Sequence, residues 1–245
     1  MANNVDPRLA PFGAKVAADA GYDAGLRSYM LSIYNYMASG VLLTGIVALL
    51  VYSTPALFAV FFNQVGSPTI LGWAAMLSPL AIILGMNFGL HRMQESTLKL
   101  LFWGFAALMG VSMSTIFARY TGASIAQTFF VTAASFGALS LYGYTTKKDL
   151  SAWGRFLFMG VIGILIAMIA NIFIQSSALQ LAVNIVGVLV FAGLTAYDTQ
   201  RLREMYFAVA GTNFAGKAAV MGALTLYLNF INLFQFLLSF MGNRE

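Results

Sequence analysis

No cysteine occurs in this chain, and histidine occurs once, as His91. The first absence excludes a disulfide framework and thiolate chemistry. The second excludes a metal site built on clustered imidazoles. Charge is nearly as scarce: Lys, Arg, Asp and Glu make up 9% of the 245 residues, where a soluble domain carries about 25%. With 60% of residues hydrophobic, too little polar surface remains to cover the molecule in water, so the bilayer must be its solvent. The net charge of +5 does not point to nucleic acid, because the basic residues are scattered singly between apolar runs and form no patch interleaved with aromatics. The opening stretch "MANNVDPRLAPFGAKVAADAGYDAGLR" lacks the apolar core of a signal peptide. It reads as a polar cytoplasmic tail over residues 1–30, and its Ala, Gly and Asp content suggests disorder.

What is abundant is long apolar sequence. Seven runs are each long enough to span a bilayer: Ile33–Tyr52, Ile70–Leu90, Leu98–Ala118, Ile125–Tyr144, Phe156–Ile174, Leu179–Tyr197 and Ala218–Met241. Their apolar character is continuous rather than alternating, which predicts helices and not barrel strands. The expected fold is therefore an all-α polytopic membrane protein, with one seven-helix domain over residues 31–245 and short connections. Arg8, Lys15, Arg27, Arg92, Lys99, Lys147, Lys148, Arg155, Arg201, Arg203 and Lys217 fall on one side of that scheme, and only Arg119 and Arg244 on the other. The positive-inside rule then places the N-terminus in the cytoplasm and the C-terminus outside. Tyr29, Tyr34, Tyr52 and Trp153 at span ends fit an interfacial belt. Small residues at helical spacing (Gly40 and Thr44; Gly104, Ala107 and Gly110; Gly160 and Gly163) predict close helix packing.

Two spans carry polar residues where lipid should be. In the last, Thr225, Asn229, Asn232 and either Gln235 or Phe236 recur at offsets of three and four, which puts them on one helix face. That stripe must face partner helices or a wet cavity. It either holds the bundle together or lines a pathway. The sixth span ends in Asp198, the acidic residue closest to hydrocarbon, and an ionisable group there is a functional-site hypothesis by default. Its structural alternative is a helix-end carboxylate paired with Arg201 or Arg92. The depths of the two features differ. At about 1.5 Å per residue, Asp198 lies roughly 5–8 Å from Arg201 and Arg203, and Asn229 about 18 Å from Lys217. They meet only if the last helix starts beyond the bilayer, the sixth continues through "MYFAVA", or the chain dips back into the membrane.

The segments "FAGLTAYDTQRLREMY", "SLYGYTTKKDLSAWG" and "GALTLYLNFINLFQFLL" resemble the Bax inhibitor-1 (transmembrane Bax inhibitor motif) family, in particular its bacterial branch, from about Ile33 to Phe240. The resemblance implies seven helices with the last in the middle of the other six, in a bacterial inner membrane. It also implies a pH-sensitive calcium leak controlled by two aspartates, one in the "YDTQ" block and one on the last helix. Asp198 matches the first. The second position is Asn229, so the chain departs from the pattern at the gate itself. Two adjacent carboxylates share a proton. An Asp–Asn pair has no such like-charge coupling, and it offers a passing Ca²⁺ one carboxylate and one amide oxygen rather than two carboxylates. The expectation is a weaker or shifted pH response, with Asp198, Asn229, Arg92 and Arg201 as the gating and ion site, Asp198 and Asn229 as transient Ca²⁺ ligands, and no cofactor.

Enzyme readings lack their residues. A second intramembrane acid for aspartyl proteolysis is missing, His91 lies at a helix end beside Arg92, and no lysine sits mid-span in the last helix for a retinal Schiff base. The competing expectation comes from family members described as partners of the membrane-bound ATP-dependent protease that clears damaged membrane proteins. On that reading residues 1–27 are the contact element and Asp198 is structural.

Overall fold

The structure, a computed structural model, describes residues 10–63 and 67–243, with side chains from residue 24 onward. Arg8, Arg244 and the first nine residues of the expected tail lie outside those residues, as does the side chain of Lys15. Among the described residues eight α-helices follow in order: α1 Ala10–Ser53, α2 Pro55–Phe61, α3 Ile70–Gly89, α4 Glu95–Met113, α5 Gly122–Thr145, α6 Ser151–Ile174, α7 Ser177–Val209 and α8 Ala215–Met241. All but α2 are long and apolar enough to cross a membrane. The short α2, with Pro55 in its first turn where a missing N–H costs nothing, fills the first connection. Its sequence is too short to register as a span.

The seven expected spans are all present, and two run well past their expected ends. The tail boundary at residue 30 is not a structural break. Helix α1 passes through it from Ala10, with Leu26, Tyr29 and Met30 already buried. Alanine has the best helix propensity, and extending a formed helix avoids the cost of a new nucleus. From Ala10 onward the expectation of disorder therefore fails. Tyr29 is buried rather than part of an interfacial belt, whereas Trp153 is exposed as expected. At the other extreme α7 continues through the "MYFAVA" stretch to Val209. A tight turn with Gly211 at φ 75° then reverses the chain into α8.

Helix α8 is the centre of the bundle. It packs against α1, α4, α5 and α7, while α3 packs on α4 and α6 packs on α7 as outer layers. The last helix is central, but four helices enclose it rather than six. Its buried face carries Val220, Ala223, Leu226, Tyr227, Phe230, Leu233 and Leu238. Close approach depends on small residues at several of the expected positions. A side chain at Gly40 would meet Phe102 at 2.7 Å, one at Gly110 would meet the Thr44 carbonyl oxygen at 2.8 Å, and one at Gly160 would meet Val190 at 2.9 Å. Gly104 and Gly163 face open space and are not seams.

Candidate functional site

The extension of α7 brings the two depths together. Asp198 lies eleven residues before the end of α7 and Asn229 fourteen after the start of α8, so both are roughly 16–21 Å from the turn that joins the helices. The Asn229 Nδ2 donates to the Asp198 Oδ2 at 2.7 Å. Asp198 is 7% exposed and Asn229 5%. A buried carboxylate is costly unless hydrogen bonded, and the amide supplies that bond from the neighbouring helix. The pair lies against a cavity of about 700 Å³ between α6, α7 and α8, lined by Arg155, Phe158, Leu194, Arg201 and Asn232 among others.

The other expected site residues divide. Arg201, Thr225 and Asn232 line the same cavity. Thr225 and Asn232 satisfy themselves within α8, donating to the Met221 and Leu228 carbonyls at 3.1 and 2.8 Å. Two expectations need correction. Arg92 is exposed in the α3–α4 turn and contributes nothing to the cavity. Among the described residues the ion pairs are Lys99–Glu95 and Arg203–Glu204, so no cation bonds Asp198 directly. The reason is lateral: α3 packs on α4, and α4 on the far side of α8 from this cavity. Gln235 leaves the stripe and lines a separate cavity with Ser112, Arg119 and Tyr120. At about 100° per residue it stands about 120° from Asn229, while Phe236 stands only about 20° away. Phe236 is the fourth member. His91 is exposed in the α3–α4 turn and stacks on Phe214 at 5.8 Å between ring centres.

Sequence reasoning missed most of what the "YDTQRLR" block does. Apart from the exposed Arg201, each of its polar side chains goes to a different partner. Tyr197 packs in the space left by Gly154 of α6. The Thr199 hydroxyl donates to the Thr195 carbonyl and pairs with Ser140 of α5 at 2.9 Å, and Ser140 in turn pairs with Tyr34 of α1 at 2.6 Å. The Gln200 Oε1 accepts from the Leu150 N–H at 2.8 Å and its Nε2 donates to the Lys148 carbonyl at 2.8 Å, clamping the α5–α6 connection. The Arg203 guanidinium donates to the carbonyls of Tyr144 and Thr146 at the end of α5, where the helix dipole favours a cation. Consecutive helical residues point in different directions, so a densely polar run ending a span is itself the signal for such a junction.

A second polar cluster lies toward the opposite end of the α7–α8 seam. The Asn171 Nδ2 donates to Gln180, Gln180 donates to Asn184, and Asn184 donates to the Ser239 hydroxyl, at 3.3, 3.0 and 2.9 Å. Along both helices, stacked Phe191 and Phe236 rings 5.7 Å apart separate this cluster from the Asp198–Asn229 pair. Gly187 makes room for Phe236. Among the described residues no three His, Cys, Asp or Glu side chains converge.

Comparison with known proteins agrees with this architecture. The family model described as inhibitor of apoptosis-promoting Bax1 matches residues 26–245. An uncharacterised protein of Caulobacter vibrioides is 48% identical, over 93% of this chain and 94% of its own length. An uncharacterised protein of Rickettsia prowazekii is 46% identical over 91% and 93%. The inner membrane protein YbhL of Escherichia coli is 45% identical over 91% and 94%.

Proposed function

The chain belongs to the Bax inhibitor-1 family, and on that premise we propose that it is a pH-sensitive calcium and cation leak in a bacterial inner membrane, with its N-terminus cytoplasmic. The observation that carries the reading is the 2.7 Å bond between Asn229 and the buried Asp198 carboxylate beside a cavity in the bundle. A lone carboxylate attracts a cation, and protonation removes that charge while leaving a neutral hydrogen bond to Asn229 that keeps α7 on α8. Leak therefore falls as pH falls through the titration of Asp198. The Phe191–Phe236 stack is the constriction between the two polar stretches.

The test is ⁴⁵Ca²⁺ or fluorescent cation leak into proteoliposomes between about pH 5 and 8. Wild type gives one pH-dependent step. Asp198→Asn gives a low, flat curve, Asn229→Asp adds a second step by carboxylate coupling, and Phe236→Ala raises the leak. Flat and identical curves for wild type and both polar variants would remove the gating reading.

A second reading, a non-conducting partner of the membrane-bound ATP-dependent protease, has one observation in its favour. Helix α1 begins at Ala10, well before the apolar run that starts at Ile33, which leaves a helical segment for a partner to grip. Removal of residues 2–23 leaves Leu26 and Tyr29 in the core. Loss of protease association with leak retained would support this contact; leak lost together with the segment would count against it.

A further inference from the structure

We infer that the groove between α6 and α8 is a binding site for one anionic phospholipid, with its phosphate between Arg155 and Arg201 and an acyl chain along the groove wall. The groove arises from the layering. Helix α6 packs on α7, and α8 packs on the other flank of α7, so α6 and α8 stand apart as two walls with α7 as the floor. The cavity between them measures about 700 Å³. Its open side faces the bilayer, because Phe158, Met159 and Ile162 on the α6 wall are exposed.

The lining divides by chemistry along its length. Arg155 and Arg201 stand at the end where α5 turns into α6 and α7 into α8, the same end that carries most of the basic residues. Both are exposed, and neither makes an ion pair among the described residues. Farther in, Phe158, Met159, Ile162, Leu194 and Leu228 give an apolar surface. From Arg155 to Ile162 is about 10 Å of helix rise, enough to seat the first half of an acyl chain. The acidic group facing the cavity is Asp198, which is buried and bonded to Asn229. Two guanidiniums therefore outweigh one carboxylate at the mouth. Guanidinium groups recognise phosphate by paired N–H donors, and at headgroup depth an anionic lipid joins that phosphate to a chain that matches the apolar walls. A free anion would leave those walls unfilled.

The site shares its cavity with the leak reading but is tested separately, by retention of lipid rather than by leak. Full-length protein is reconstituted in phosphatidylcholine vesicles containing a minority of phosphatidylglycerol, re-extracted in mild detergent and weighed by native mass spectrometry. Wild type is expected to retain one phosphatidylglycerol. Arg155→Gln with Arg201→Gln is expected to lower that retention at least about tenfold, the scale of a single lost charge-assisted bond, since two are removed. Arg92→Gln with Lys147→Gln removes the same charge from the same end, outside the groove, and is expected to retain the lipid. Ile162→Trp, which fills the groove, is expected to lose it. All these positions are exposed, and an unchanged melting temperature confirms folding. Equal losses in the two double variants, equal retention of phosphatidylcholine, or displacement by inorganic phosphate would each overturn the site. So would a dimer that dissociates in the Arg155 and Arg201 variant, which would put a second copy in the groove.

Discussion

Helices α6 and α8 differ in a way that reverses the rule for soluble proteins. The more apolar of the two, α6, is almost wholly lipid-facing, with Phe156, Met159, Ile166, Ile172 and Phe173 exposed. The more polar, α8, is mostly buried at the centre of the bundle. Lipid tails are as apolar as leucine, so hydrophobicity does not drive a helix inward there. Unsatisfied polar groups do, because hydrocarbon offers them no partner. Asn229 bonded to Asp198, and Tyr227 bonded to Thr44 at 2.6 Å, are therefore what hold α8 in place. Its flat faces of small residues then fill in around them. Only where α6 meets α7, at Gly154, Leu157, Gly160 and Ile164, does α6 acquire a packed seam of its own.

Three substitutions sharpen that contrast, each read by chemical or thermal unfolding in detergent micelles. The largest effect is expected on α8. Tyr227 is fully buried, meets Phe102 and Phe105 edge to face at 6.1 and 5.3 Å, and bonds Thr44. Tyr227→Ala should cost about 3–5 kcal/mol, and a loss under about 1 kcal/mol would remove α8 from its central role. An intermediate effect is expected from Gly154→Ala on α6. The added methyl group meets the ring of Tyr197, beside Asp198, and overpacking of this kind costs about 1–3 kcal/mol. A neutral result would mean that α6 has no fixed docking position on α7. The smallest effect is expected from Phe173→Ala, since that ring is 81% exposed. It should stay within about 0.5 kcal/mol, and a large loss would place α6 against a partner.

The sequence made the seven spans legible because apolar length is a one-dimensional property, readable residue by residue. It also singled out Asp198 and Asn229, since polar residues within such spans are rare enough to stand out. What it misassigned were questions of direction around a helix and of lateral neighbourhood. Arg92 shares a membrane side with Asp198 but lies beyond α8, on the α3–α4 turn. Gln235 fits a spacing of three from Asn232 but rotates away from Asn229, leaving Phe236 to continue the stripe. The partners of Thr199, Gln200 and Arg203 were invisible because each lies about fifty or sixty residues away in the chain.

The sequence by itself determined that this chain lives in a bilayer, how many times it crosses, and which few polar groups the crossing must accommodate, because transfer of side chains from water to hydrocarbon depends on the segment alone. Only the tertiary structure decided which of those groups meet. The continuation of α7 to Val209 and the return of α8 set the register that closes the Asp198–Asn229 bond. The same packing leaves α6 and α8 apart, because a groove is a relation between helices and belongs to no single one of them.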